Sequence, residues 1–132
     1  MAELRLVLVT PEKTLFDRPV ASIKVPLFDG SAGFYPGRAP LVGRMGIGEL
    51  RLVGPSGEAE SYFVDGGFVQ VKGPIVSVLT NSAVPCVDIS RRVAASKLAE
   101  AQAERASTDE EYRGVARRLE KARRMLALAG KD

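Results

Sequence analysis

DGSAGFYPGRAPLVGRMGIGEL, residues 29–50, carries glycines at 30, 33, 37, 43, 46 and 48 and prolines at 36 and 40. Glycine reaches left-handed and other restricted backbone angles at no steric cost, while proline fixes its own φ and pushes its predecessor toward extended geometry. A stretch built this way is folded by its turns. The apolar residues between those turns, Phe34, Tyr35, Leu41, Val42, Met45, Ile47 and Leu50, come in twos and threes, too short for helices and suited to short strands. The reading is a set of tight corners in a β domain. A phosphate-binding loop would need GxxxxGK[ST] or GxGxxG running from a strand into a helix, and neither is present. The segment after Gly46 continues as alternating strand, so no helix N-terminus is offered to an anion.

Outward from this stretch the strand pattern persists. Leu4, Leu6 and Leu8 alternate with Arg5, Val7 and Val9, a period of two with one firmly buried face. Leu15–Phe16 and Val20–Leu27 give further strands, the latter demoted to an edge or bulge by Pro26 and closed by Asp29-Gly30. Glu49–Val53, Ala59–Val64, Phe68–Val71 and Ile75–Thr80 follow, separated by Gly54-Pro55-Ser56-Gly57, a hinge at Asp65-Gly66-Gly67, and Gly73-Pro74. Strands recurring at this spacing, with hairpin turns, indicate an antiparallel β-sandwich of two sheets and about ten short strands over residues 1–86.

Beyond Pro85 the composition changes. Over 87–132 there is no proline, glycine occurs only at 114 and 130, and alanine, arginine, glutamate and leucine dominate. These are helix formers, and an antiparallel two-helix hairpin is expected. Asp88 is placed to cap the first helix, which is expected to run to about Ala106, and Ser107-Thr108-Asp109-Glu110 reads as a capping box opening the second. Tyr112, Val115, Leu119, Ala122, Leu126 and Ala129 form a narrow apolar seam to meet Ile89, Val93, Ala94, Leu98 and Ala101. Alanine buries little area, so the hairpin is expected to be marginal by itself.

The chain has 132 residues, 45% of them hydrophobic and 27% charged, which suits one packed domain with an appendage. No apolar run approaches the ~20 residues that span a bilayer, and MAELRLVLVT lacks the features of a secretory signal, so a start near Met1 in the cytosol is expected. With no histidine and one cysteine, Cys86, the usual zinc ligand sets are excluded, and Cys86 reads as a buried thiol. The net charge of +3 belongs wholly to the C-terminal part, because residues 1–86 hold eight basic and eight acidic side chains. Arg113, Arg117, Arg118, Lys121, Arg123 and Arg124 surround a single acid, Glu120, an excess suited to an acidic protein surface. Nucleic acid fits less well, since the β part is neutral and only Tyr112 lies among these cations. No nucleophile has a base beside it, so catalysis within the chain is not expected.

Taken in order, TPEKTLF (10–16), GSAGFYPGRAPLV (30–42), GIGELRL (46–52), YFVDGGFVQV (62–71) and VDISR (87–91) resemble the epsilon subunit of the F-type ATP synthase over essentially the whole chain. The resemblance implies a non-catalytic central-stalk subunit that couples c-ring rotation to the catalytic sector through the gamma subunit. It implies attachment to the cytoplasmic face of a bacterial plasma membrane through the complex alone, with a plastid thylakoid as the other setting. Asp29, Gly30, Ser31, Ala32, Gly33 and Arg38 would lie on the c-ring and gamma side; the family usually has glutamate where Ser31 or Ala32 stands and histidine where Arg38 stands. Arg117, Arg118, Lys121, Arg123 and Arg124 would press on a catalytic beta subunit and inhibit ATP hydrolysis. No cofactor is implied, but some relatives bind ATP as a regulatory ligand through an [IL]DxxRA motif, matched here by Asp88 and Arg91, with Arg92 in place of the alanine. The alternatives are a freestanding nucleotide-binding sensor and a β-sandwich adaptor or carbohydrate-binding module, the latter disfavoured by an aromatic content of 6%.

Overall fold

The computed structural model describes residues 4–27, 30–34 and 41–130. They form eight strands and two helices in two compact units, residues 1–84 and 85–132, so that Pro85 and Cys86 go with the helices. The strands are β1 (Leu4–Val9), β2 (Thr14–Val20), β3 (Ser22–Leu27), β4 (Gly30–Phe34), β5 (Leu41–Val53), β6 (Ala59–Lys72), β7 (Ile75–Leu79) and β8 (Ala83–Pro85). They join in one hydrogen-bonded path, β2-β1-β7-β6-β5-β3-β4, with β8 on β6.

Two long strands turn this path into a sandwich. In β5 the inward residues are Met45 and then Leu50 and Leu52; in β6 they are Val64 and then Val69 and Val71. Each strand therefore shifts its alternation by one residue, at Gly46–Gly48 and at Asp65–Gly67. These sites lie opposite one another, Met45 against Gly67 and Ile47 against Asp65, so the register is the same on both sides of the bend. An odd shift keeps the apolar face inward after the strand has bent. Leu4, Leu6 and Leu8 of β1, Ile23 and Val25 of β3, and Val76 and Val78 of β7 then meet in one core.

The glycines account for the difference between about ten expected short strands and eight observed ones. Gly46, Gly48, Gly66 and Gly67 read as ends of strands, yet they are bends inside strands of 13 and 14 residues. At Gly67 the backbone lies at φ +117°, and a Cβ there would stand 1.9 Å from the carbonyl oxygen of Leu79. Only glycine fits. One pairing also departs from the antiparallel expectation: β1 lies parallel to β7, Arg5 against Ile75 through Val9 against Leu79. β1 is antiparallel to its hairpin partner β2 and reaches β7 only after the chain has passed through the other layer. Pro26 acts as its chemistry requires, at a register shift between Lys24 and Leu27 in the β3–β5 pairing.

In the second unit a 3-10 turn at Cys86–Asp88 leads to α1 (Arg91–Ala103), and residues 104–108 connect it to α2 (Asp109–Leu128). Two expectations need correction. Asp88 does not cap α1, because the turn places it before the helix; Ser90 is the cap, its hydroxyl accepting from the Val93 N–H at 3.3 Å. The box at α2 is shifted by one residue. Thr108 accepts from the Glu111 N–H at 3.1 Å, and the Glu111 carboxylate accepts from the Ser107 N–H at 2.8 Å and its hydroxyl at 3.1 Å. These bonds hold the Glu111 carboxyl below its ordinary pKa. Cys86 is buried, as its chemistry suggests.

Candidate functional site

Two surfaces stand out, one on each unit. On the β unit, the face of β5, β6, β7 and β1 turned away from the core carries Val42, Phe68, Leu79 and Ile75, exposed by 70, 56, 49 and 43%. The ladder brings them together: Phe68 lies beside Leu79 and Arg44, Val42 beside Gln70, and Ile75 beside Lys72. On β1, Val9 stands next to Leu79 and Val7 next to Ser77, both half-buried. A sheet with one buried face normally presents polar residues on the other. Here the outward face also carries large apolar side chains among Arg44, Gln70, Lys72 and Ser77, and exposed apolar area of this kind marks an interaction surface. Arg5, Lys72 and Arg44 stand at its margins, Arg5 paired with Asp17 of β2.

At one side of the sandwich, β2 meets the first half of β6, a strand that is not its neighbour in the sheet. Arg18 pairs with Glu60 and lies 4.8 Å from the centre of the Phe16 ring, which is 5.5 Å from that of Tyr62. The Tyr62 hydroxyl donates to Glu60 at 3.4 Å. Burial, and then the neighbouring Glu60 carboxylate, push the Tyr62 phenol above its ordinary pKa. A phenol held protonated and a cation stacked on an aromatic ring close the layers here. They offer no proton at neutral pH, so this cluster is a clamp.

On the helical unit the basic residues of α2 divide by function. The Arg118 Nε donates to both carboxylate oxygens of Glu104, at 3.0 and 2.8 Å, so this side chain ties the loop to the helix. Arg124 bonds Glu120 one turn back at 3.2 Å. Arg113, Arg117 and Arg124 are exposed on the side of α2 away from Ala122, whereas Lys121 is half-buried and lines the cleft along the hairpin. Among the described residues, Arg113, Arg117 and Arg123 pair with no carboxylate. The helix seam itself is made of small residues, Ala94, Ala101 and Ala122 being buried. Tyr112 and Val93, expected in that seam, are exposed. Leu98, Val115, Leu119 and Leu126 are half-buried.

The other sequence-derived positions are placed as follows. Asp29 and Arg38 lie outside the described residues. Gly30, Ser31, Ala32 and Gly33 form β4, which ends the sheet path and pairs with β3, Leu27 against Gly30 through Lys24 against Gly33. Asp88 and Arg91 are both exposed, one in the 3-10 turn and one at the first position of α1. A cleft of about 250 Å³ along the hairpin is lined by Lys97, Glu104, Arg118, Lys121 and Met125, and neither Asp88 nor Arg91 is in its wall. No group of metal-ligating side chains occurs among the described residues. The structure brings the basic residues onto one helix, and it adds an apolar sheet face that sequence reasoning missed. The signal was there in FVQVK, where apolar residues fall on both phases of the alternation.

Comparison with known proteins accords with this architecture. Residues 3–86 match the model of the ATP synthase delta/epsilon chain β-sandwich domain. An ATP synthase epsilon chain from Rhodopirellula baltica is 47% identical over 108 residues, covering 82% of this chain and 84% of that one. One from Myxococcus xanthus is 41% identical over 102 residues, covering 77% and 74%. Among solved structures, a chain of the Euglena gracilis mitochondrial ATP synthase, determined as OSCP/F1/c-ring, superposes with a TM-score of 0.88 at 25% identity over 96% of this chain and 81% of that one. A chain from the Tetrahymena thermophila central stalk and c-ring shares the fold, with a TM-score of 0.71 at 13% identity over 94% of each chain. No helix among the described residues is long and apolar enough to cross a membrane. With a β-sandwich ahead of two helices, and near relatives in the bacterial enzyme, the chain belongs to the ATP synthase epsilon chain family.

Proposed function

We propose that this chain is a non-catalytic subunit of the rotary ATP synthase central stalk, held to the gamma subunit by the outward apolar face of β5, β6, β7 and β1. The observation that carries this is the exposure of Phe68, Leu79, Val42 and Ile75 on a sheet whose other face is already buried. Such a face is costly in water and matches an apolar partner surface. A similar chain solved within an assembly of OSCP, F1 and c-ring supports a partner inside such a complex. β4, which ends the sheet path, is the part of the β unit we assign to the c-ring side, and attachment to the membrane runs through the complex. Coupling of proton flow to rotation follows from being gripped by both.

The helical unit acts on the catalytic sector. Arg113, Arg117 and Arg124 present positive charge away from the seam, fit to meet an acidic segment of a beta subunit and slow ATP hydrolysis. Arg118 contributes less, being engaged by Glu104. A regulatory ATP at Asp88 and Arg91 has less support, because two exposed side chains on consecutive turns enclose no cavity; titration of the chain with ATP tests it, heat of binding being the result in its favour.

The docking reading is tested by co-purification with the gamma subunit. Phe68→Asp together with Leu79→Asp alters exposed positions only and is expected to abolish recovery of the complex; unchanged recovery would overturn the assignment. The braking reading is tested in the assembled enzyme. Arg117→Glu with Arg124→Glu is expected to raise ATP hydrolysis several-fold, and hydrolysis equal to the parent's removes the role of this stripe.

A further inference from the structure

The carboxyl end of α2 does not simply stop. Ala129 ends the helix, its N–H bonded to the Leu126 carbonyl at 3.3 Å, and the next residue turns back onto the start of the same unit. There the Gly130 N–H donates to the Cys86 carbonyl at 2.9 Å. That carbonyl also accepts from the Ile89 N–H at 3.2 Å, closing the 3-10 turn, and a carbonyl oxygen has lone pairs for both. The fit is close. A Cβ on residue 130 would stand 3.0 Å from the Cys86 oxygen and 3.0 Å from the Val87 Cα, and backbone atoms cannot swing aside as a long side chain does. Cys86 and Ile89, which form the seat, are themselves buried.

We propose that this bond is a latch, holding the last turn of α2 on the root of the hairpin, and that its opening is the first step by which α2 leaves α1. The proposal rests on the braking role proposed above, taken to require helices that can part from one another. Its physical basis is the weakness of everything between the ends. The buried seam is Ala94, Ala101 and Ala122, which give little apolar area to hold two helices together. The loop end is closed by Arg118 on Glu104 and by the Thr108 and Glu111 caps. At the far end no ion pair among the described residues joins 122–128 to α1, and beyond the half-buried Met125, Leu126 and Leu128 the Gly130 bond ties this end to the root of the hairpin. A latch made of one backbone bond is strong enough to bias the pair closed and weak enough to open in thermal motion.

Two variants of the full chain test this by backbone hydrogen exchange. Gly130→Val inserts atoms against Cys86 and Val87. Gly130→Pro removes the N–H, and Ala129 already has the extended ψ of 124° that a following proline prefers. In both, amides of residues 122–129 are expected to exchange roughly fivefold faster, the factor that one net hydrogen bond supplies, while 109–118 are unchanged. Unchanged exchange over 122–129 in both variants overturns the latch, and so does acceleration spread evenly along α2. The assembled enzyme separates this from the braking reading. Hydrolysis below the parent's supports latch and brake together; faster exchange with unaltered hydrolysis supports the latch and removes the brake.

Discussion

The β unit and the helical unit are held together by different physics. Residues 4–84 bury leucine, isoleucine, valine and methionine from both layers in one core, and their strands are locked by a ladder twelve partners long between β5 and β6. The helices over 91–128 fully bury only alanines, Ala94, Ala101 and Ala122, and are helped by caps, by the Arg118–Glu104 ion pair and by the Gly130–Cys86 backbone bond. Hydrophobic stabilisation scales with apolar area removed from water, so the first unit is deep and the second shallow. A rotor component needs a body that does not yield and an appendage that does. The contrast teaches where each kind of substitution will be felt.

Glycine to alanine offers the sharpest break in that contrast, because it should change sign between units. Gly67→Ala forces a Cβ into the Leu79 carbonyl at a positive φ, and is expected to destabilise the β unit by roughly 4 kcal/mol in denaturant titration. A loss under about 1 kcal/mol would mean the bend can relax, and that the body is softer than described. Gly114→Ala sits inside α2, where the added methyl meets only the movable end of Arg118 at 3.3 Å. It should stabilise the helical unit by up to about 1 kcal/mol, read as a higher melting midpoint of the helical signal. Destabilisation instead would show that the Arg118–Glu104 contact depends on an empty position 114.

Acid produces the smallest effect. Glu111 has its pKa lowered in the fold, chiefly by the Ser107 N–H and then by the Ser107 hydroxyl. A depressed carboxyl contributes stability that is present above its unfolded pKa and lost as pH falls through the folded value. Fraying at the start of α2 should therefore appear only below the ordinary carboxylate range, as faster exchange of residues 107–112, and Glu111→Gln should remove that dependence. In the β unit the Tyr62 phenol, raised by burial and then by Glu60, responds instead in alkali.

Much of this was legible in single residues. Leu4, Leu6 and Leu8 announced a buried face and are fully buried. Pro26 announced an edge or a bulge, and β3 lies between β5 and β4 with the ladder shifted there. The change of composition after Pro85 announced helices, and α1 and α2 follow. Other signals were present but displaced by a residue or two, as with Thr108 for Ser107 and Ser90 for Asp88, because several residues in a row can accept the same orphan N–H groups and packing chooses among them.

What the sequence determined by itself was local: alternation, turn chemistry, helix formers and the sign of charge along α2, all of which act over a few residues. The tertiary structure alone decided what depends on distant partners. It bent β5 and β6 at facing glycines without breaking their ladder, set β1 parallel to β7, and turned Phe68 and Leu79 outward while Val69 and Val78 went in. It gave Arg118 to Glu104 fourteen residues away, and brought Gly130 back to Cys86. Which of two apolar phases faces the core, and which carbonyl a terminal N–H finds, are fixed by chain segments that meet only after folding, and no local pattern records the meeting.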